Sequence, residues 1–549
     1  MHGSVKFGAL LAVILITATG LLYYFSPGRM EAAVEGKGVI TGVVKDENGA
    51  PLRGVNVVCE ESSVTTNDKG EFSFEGLREG RYLIKAYKQG YMIGVKDVEV
   101  EKDGKASVEI FMKKIKRRIV VATDGTGDYN CDGVNDEYEI NAAIESLSMI
   151  GGGTVHLKEG RYTIDGPVVL AHNIIFEGEG QDRTYIKLKD WNNREYWGLF
   201  VLNKVSNVTV RDFTLDGNKH RQRVSKGIDS DIDGFRTSWS HDIVIQRVKL
   251  MNLWTDGFQF VHSNDCVVEN SSVIQAGHDG FMLIYCEKIK VINNYVYASG
   301  TGNAGIRLYE CSFCLVERNY FNVYGFGILI NPQGGVPCGN NVYKYNIMYG
   351  NYRDTPAIAI YARGTPIENE LFIGNIIVRS VYHGVRLWAT EEGGSRIKNV
   401  TFINNVIYGA KKSGIILEGK TKSITNVLVK NCIIANNGEY GIYGKVTSIY
   451  NDVWNNGKGN YGGGAKPGVG DISVDPLFAD PAHGDFHLKS EAGRWDPNQK
   501  RWVKDSVTSP CIDAGDPSSD FSKEPEPNGG RINMGAYGNT EEASKSLKE

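Results

Sequence analysis

Proline is scarce in this chain, 15 residues in 549, against 66 glycines. With 41% of residues hydrophobic, that balance excludes an extended disordered chain and implies many tight turns. Excess charge of either sign is lacking as well. The 61 basic and 65 acidic residues leave a net charge of -4, which gives no ground for a nucleic-acid partner. No disulfide framework is visible, because the nine cysteines are odd in number and irregularly spaced. Cys311 and Cys314 form one Cys-x-x-Cys without a second pair at zinc spacing, so the cysteines read mostly as small buried hydrophobes. The length is too great for one compact core, and several domains or an elongated repeat are expected.

One apolar run is present, "FGALLAVILITATGLLYYF" at residues 7–25. As a helix it would cover ~28 Å, about a bilayer core. It is long for the apolar part of a cleaved signal peptide, and no small-x-small site directly follows it. Residues 1–29 are therefore expected to be a membrane anchor rather than a signal segment, with the rest of the chain extracytoplasmic at the cell surface.

Residues 37–113 alternate polar and apolar in short stretches such as "GVITGVVKD", "GEFSFEGL" and "GRYLIKAYK". Turn signals such as "ENGAP" and "NDKG" separate them. This predicts a small antiparallel β-sandwich. The pattern "VVKDENGAPLRGVNV … TTNDKGEFSFEGLREGRYLI" resembles the carboxypeptidase regulatory-like domain, which implies a non-catalytic spacer or carbohydrate-proximal module. The basic run "KKIKRR" closes it as a linker.

From Ile119 the texture changes. "DEYEINAAIESLSMI" places Ile140, Ala143, Ile144 and Leu147 on one helical face. Short strands then recur with an apolar column at Phe235, Phe258, Phe281, Ile306, Ile328, Ile358, Val385, Ile415 and Ile442, spaced by 22 to 30 residues. A second column is read at Asn270, Asn294, Asn375, Asn405 and Asn431. Such a period without intervening helices predicts a parallel β-solenoid with stacked interior columns. The leucine-asparagine consensus of leucine-rich repeats is absent. "DGTGDYNCDGVNDEYEINAAIESLSMIGGGTVHLKEGRYTI … NIIFEGEG" looks like the entry to the pectin-lyase-like right-handed β-helix, where a helix caps the open end. The expected fold is thus all-β: a right-handed parallel β-helix over 119–460, preceded by the sandwich and an N-terminal transmembrane helix. The region 461–549 looks like the cap segment of such proteins and is expected to protect the last coil's open edge.

"DIDGFRTS", "WTDGFQFV" and "GHDGFMLI" repeat Asp-Gly-Phe at Asp233, Asp256 and Asp279, at steps of 23 residues. Adjacent coils lie ~4.8 Å apart, so three carboxylates would stack and need a proton, a cation or a basic neighbour. Later coils keep the glycine and lose the aspartate, at Ala304-Gly305, His383-Gly384, Ser413-Gly414 and Tyr440-Gly441, so the turn does not require an acid. Strict alternation puts the aspartate on the same side as the phenylalanine, and the glycine is expected to bend the chain so that the acid reaches the surface. On the outward side, Arg236, Arg307 and Arg386 suit carboxylated sugars, and Tyr309, Tyr361 and Trp388 suit sugar rings. His278, directly before Asp279, is the histidine singled out.

"TDG", "GHDGFML" and "AGIRL" loosely resemble the polygalacturonase signature, which implies Asp256 and Asp279 as acid and base. His278 stands where that family has the first Asp of its pair, and the family's Gly-His-Gly histidine and Arg-Ile-Lys are missing, as is the mannuronan epimerase Asp-Pro-His. Carboxyls one coil apart approach the ~5 Å of retaining glycosidases, and two coils apart the ~6.5–9.5 Å of inverting ones. A lyase or epimerase needs a base and a cation facing the uronate carboxylate, for which Arg307 or Arg236 would serve. Calcium is a further expectation, from "DYNCDGVNDEYE" with Asp128, Asn130, Asp132, Asp136 and Glu139 as ligands and from Asp229, Asp231 and Asp233. The function expected is binding and cleavage of an acidic polysaccharide at Asp233, Asp256, Asp279, His278 and Arg307, with hydrolysis slightly favoured. The alternative is a non-catalytic surface adhesin.

Overall fold

The computed structural model describes residues 36–192, 198–222, 232–297, 303–349 and 354–547. The apolar run 7–25, expected to be an anchor, lies outside the described residues, as do Asp229 and Asp231. Among the described residues no helix is long and apolar enough to cross a membrane.

Alternating residues build two facing sheets at the N-terminal end. Glu71–Leu77, Gly38–Asp46 and Lys105–Met112 form one; Ser62–Thr65, Asn56–Cys59, Gly80–Tyr87 and Gly94–Val100 form the other. Ile40, Val44, Val57, Ile84 and Ile110 fill the space between them. One pair departs from the antiparallel expectation: Gly38–Asp46 runs parallel to Lys105–Met112. The sandwich is fastened to the solenoid. Met92 and Ile93 belong to the solenoid's core. Ile93 N donates to Ser146 Oγ at 2.9 Å, and Lys85 pairs with Glu145 at 2.6 Å.

Ser146 and Glu145 lie on the helix Glu137–Ser148, which buries Ile140, Ala143, Ile144 and Leu147 against the first coils. Its N-cap is Asp136, whose carboxylate accepts Gly133 N and Thr163 N instead of a helix amide.

The solenoid is built from a 12-stranded and a 25-stranded parallel sheet. In the 12-stranded sheet Phe200, Phe235, Phe258, Phe281, Ile306, Ile328, Ile358, Val385, Ile415 and Ile442 stand in one register, all buried. The four phenylalanine rings follow one another at 4.9, 5.4 and 5.1 Å.

The asparagine column differs from the one expected. It runs Ser271, Asn294, Asn319, Asn346, Asn375, Asn405 and Cys432. Each asparagine Oδ1 accepts the backbone N–H of its predecessor, and between asparagines also the side-chain amide. Asn270 and Asn431 stand one place earlier, in left-handed backbone at φ 51 and 54. Asn346→Ala would strip the buried Asn319 N–H and Asn319 Nδ2 of their shared acceptor and free Val316 O of its donor. We expect a loss of about 3 kcal/mol in urea unfolding, from three unmatched groups in a low-dielectric core.

Phe478, Phe486, Leu488, Cys511 and Met534 pack along the flank of the late coils, on Ile376, Val378, Val406, Ile433 and Ala435. All nine cysteines are buried and free.

Candidate active site

The three aspartates sit side by side on adjacent coils but do not reach the surface. Asp233 and Asp279 are 0% exposed and Asp256 is 2%. Each Oδ1 accepts the amide of the equivalent residue one coil on: Asp256 N at 3.2 Å, Asp279 N at 2.8 Å and Ala304 N at 2.6 Å. The backbone therefore needs an acceptor here, since the amide is buried. Later coils meet the same need without charge. His383 Nδ1 accepts Ser413 N at 3.2 Å, and Ser413 Oγ accepts Tyr440 N at 3.4 Å.

The glycine following each aspartate faces the packed interior, as the phenylalanine after it does, so strict alternation breaks there. A Cβ on Gly257 would stand 2.6 Å from Gly280 O and 2.7 Å from a Val273 methyl.

The second carboxylate oxygens carry what the fold does not require. Asp233 Oδ2 faces Arg236 at 3.4 Å, Asp256 Oδ2 accepts Gln259 Nε2 at 3.0 Å, and Asp279 Oδ2 accepts Arg307 Nε at 2.5 Å. Arg307 Nη2 adds a second bond to Asp279 Oδ1 at 3.0 Å, and Nη1 donates to Tyr309 Oη at 3.1 Å. Thr255 Oγ1 donates to Asp233 Oδ1 at 2.7 Å. Thr255 and Gln259 were not singled out from the sequence as site residues; the 23-residue period, which sets Gln259 three places after Asp256 as Arg236 follows Asp233, was the available signal.

His278 is the exposed member, with 39% of its side chain in solvent. Its Nδ1 lies 2.8 Å from Asp256 Oδ1 and 3.7 Å from Asp279 Oδ2, and its Nε2 lies 3.4 Å from Arg307 Nη2. Burial pulls its pKa down, but the Asp256 hydrogen bond and the charges of Asp279 and Asp256 outweigh it, and the pKa is raised. Burial, aided by the Asp256 charge, lifts the Asp233 carboxyl well above the usual carboxylate range. Burial also raises Asp279, against the pull of Arg307. Arg307 itself is held more firmly protonated by Asp279 despite its own burial.

Asp256, His278 and Asp279 bring ligand atoms within 4.8 Å of one another, as do Cys131, Asp136 and Glu139. In the first set Arg307 already neutralises Asp279, which favours a proton over a divalent cation there. Of the five residues expected to form a calcium loop, Asp136 and Glu139 come together beside Cys131, while the other three hold neighbouring groups. Asp128 accepts Val120 N and pairs with Lys116, Asn130 accepts Gly127 N, and Asp132 accepts Val134 N.

Arg386, Tyr361 and Trp388 form a separate group. Arg386 pairs with Glu418 at 2.7 Å and donates to Tyr361 Oη at 3.3 Å. Tyr361 is 6% exposed, so it offers no sugar platform, and Trp388 packs edge-on against it. The register sets Arg386 three coils from Arg307, ~14 Å at one strand spacing per coil. Between them Leu329 and Ala359 point outward yet are buried with Ala304 and Tyr361, so the outward face is divided.

Residues 39–113 match the carboxypeptidase regulatory-like domain family and residues 233–397 the right-handed β-helix region family, and the chain carries both. Residues 404–515 match a family described as disaggregatase related. Among curated proteins, mannuronan C5-epimerase AlgE4 of Azotobacter vinelandii is 32% identical over 136 residues, which cover 22% of this chain and 24% of the relative. The chain thus spans about a quarter of that relative's length. Among solved structures, the A-module of mannuronan C-5 epimerase AlgE6 from Azotobacter vinelandii aligns over 65% of this chain and 100% of its own, with 20% identity and a TM-score of 0.50. The catalytic unit of the GH87 alpha-1,3-glucanase of Streptomyces thermodiastaticus strain HF3-3 aligns over 80% and 88%, with 16% identity and a TM-score of 0.50. At these identities both likenesses establish the fold alone.

Proposed function

We propose that this chain acts on an acidic polysaccharide and that His278 abstracts the proton next to a uronate carboxylate. One observation carries the reading: His278 alone in the cluster combines exposure with a carboxylate that fixes its tautomer. Asp256 holds Nδ1–H, so Nε2 keeps its lone pair, which faces Arg307 Nη2 at 3.4 Å and takes a proton once the substrate carboxylate draws that guanidinium to itself. Arg307, gripped by two bonds to Asp279, supplies the positive charge that the substrate carboxylate needs as its neighbouring carbon becomes a carbanion. Tyr309 accepts a hydrogen bond from Arg307 and keeps its own proton to donate. If that proton returns to the carbon on the opposite face, the sugar is epimerised. If it goes instead to the bridging oxygen as the carbon–oxygen bond breaks, the chain is cleaved by elimination.

The similarity to a mannuronan epimerase supports the sugar class. Hydrolysis, slightly favoured by spacing, fits the geometry less well. It needs two carboxyls facing the scissile bond, and all three here are buried beneath their own hydrogen bonds. With residues 7–25 as an anchor, the enzyme would work at the outer membrane surface.

Incubation with polymannuronate and polygalacturonate in deuterated water tests the reaction. An epimerase is expected to leave deuterium at an inverted C5 of one polymer, and a lyase to cleave it to ends unsaturated at C4–C5, where C5 carries no hydrogen. Cleavage without deuterium or unsaturation would mean hydrolysis, and no change in either polymer would remove the enzymatic reading.

A further inference from the structure

On the far side of Tyr309 from His278, three aromatic rings stack in successive coils. Trp239, His262 and Tyr285 lie at centroid separations of 4.0 and 4.8 Å and nearly parallel. All three have left-handed backbone, with φ between 49 and 53. Asparagine or glycine fills that conformation at lower cost than a large ring. Trp239 is 58% exposed and Tyr285 36%.

Tyr285 also lines a shallow pocket of about 330 Å³ with Tyr309, Glu310, Gln333 and Gly334. Glu310 continues the ring column at φ 50. Its buried carboxylate accepts the backbone amides of Gln333 and Gly334, so it ties the far wall of the pocket to the coil that carries Arg307. Two tyrosines and Gln333 thus line the pocket. A pyranose ring offers the complement: an apolar face for a ring and hydroxyls at its edge for a polar side chain.

We propose that the pocket and the ring ladder form a second sugar subsite, which holds the neighbouring residue of the same acidic chain. Tyr309 joins the two positions, touching Arg307 on one side and the pocket on the other. The assignment rests on the uronate reading of the His278 cluster for the identity of the chain.

The test is calorimetric binding of mannuronate as the single sugar and as the hexamer to the full-length protein, with galacturonate at the same two lengths in parallel. Tyr285→Asn removes the ring and suits the left-handed backbone, so folding is not at stake. It is expected to weaken the hexamer about tenfold, the scale of one lost ring contact, and to leave the single sugar, which needs only the Arg307 position, unchanged. Tyr285→Phe is expected to match wild type at both lengths. Arg307→Gln is expected to weaken every length. If Tyr285→Asn changes neither length, or changes both equally, the subsite is overturned while an Arg307 effect still stands. If Arg307→Gln changes nothing and Tyr285→Asn still weakens the hexamer, the subsite survives and the cluster reading falls. Failure of wild type to bind either series overturns both.

Discussion

Replacing His278 with glutamine is expected to lower turnover of the acidic polysaccharide by roughly 10²–10⁴-fold, the usual contribution of a positioned base. Substrate binding should change far less, because Arg307 and Tyr309 remain in place. The pH profile provides a sharper measurement. A base must be unprotonated to work, and the His278 pKa is raised by Asp256 and Asp279 against the effect of burial. The acid limb of kcat/KM is therefore expected at a pH above the ordinary histidine value of ~6.5. Asp256→Asn removes one of the raising charges, so the limb should move to lower pH while the rate falls. The new amide oxygen can still accept Asp279 N, and Gln259 Oε1, now without a partner, can turn to accept the new amide N–H. The coil stays intact and the comparison stays clean. A limb that does not move in Asp256→Asn would mean that another group titrates, and an unimpaired His278→Gln enzyme would end the assignment.

The second large effect concerns stability. Glu370 is fully buried inside the solenoid, with Oε1 accepting Asn341 Nδ2 at 3.0 Å and the Tyr343 hydroxyl beside the carboxyl. Burial raises its pKa from 4.5 to about 8. At ~1.4 kcal/mol per pH unit, ionising it in the fold costs on the order of 5 kcal/mol. Below pH 4.5 the acid is protonated in both states and the cost is absent. Between 4.5 and about 8 the unfolded chain releases the proton and the folded one keeps it, so stability falls as pH rises, and it levels off above. Glu370→Gln is expected to flatten this slope and to raise the melting temperature at pH 8 to 9, with little change at pH 4 to 5. Parallel melting curves for wild type and variant across that range would rule the account out.

Much of the scaffold was legible in the chain. The inward column from Phe235 to Ile442 could be read because large apolar residues recur one coil apart and nothing else meets their packing need. The asparagine column was misread by one place where pairs blur it. In Asn293-Asn294 and Asn404-Asn405 the first takes the left-handed turn and the second points in, while Asn270 and Asn431 are turn residues followed by Ser271 and Cys432. The site was legible in its members and not in its depth. His278, Arg307 and Tyr309 converge as their spacing suggested. Yet a repeated Asp-Gly-Phe cannot reveal that each aspartate turns one oxygen to the next coil's amide and so lies beneath the surface. Strict alternation puts those aspartates on the phenylalanine side, but the glycine faces the interior together with the phenylalanine, so the acids turn to the outward Arg236, Gln259 and Arg307 and are buried beneath them.

The amide-acceptor column has a consequence for how such a protein changes over time. Aspartate, histidine and serine all serve the backbone at this position, so the fold is indifferent to which of them a coil carries. Charge can thus be added to or withdrawn from one coil by a single substitution, with the main-chain bond preserved. A reactive centre on this scaffold is then a movable cargo on a fixed track: a descendant chain could shift it a coil up or down, or lose it and remain a binder, without rebuilding the solenoid.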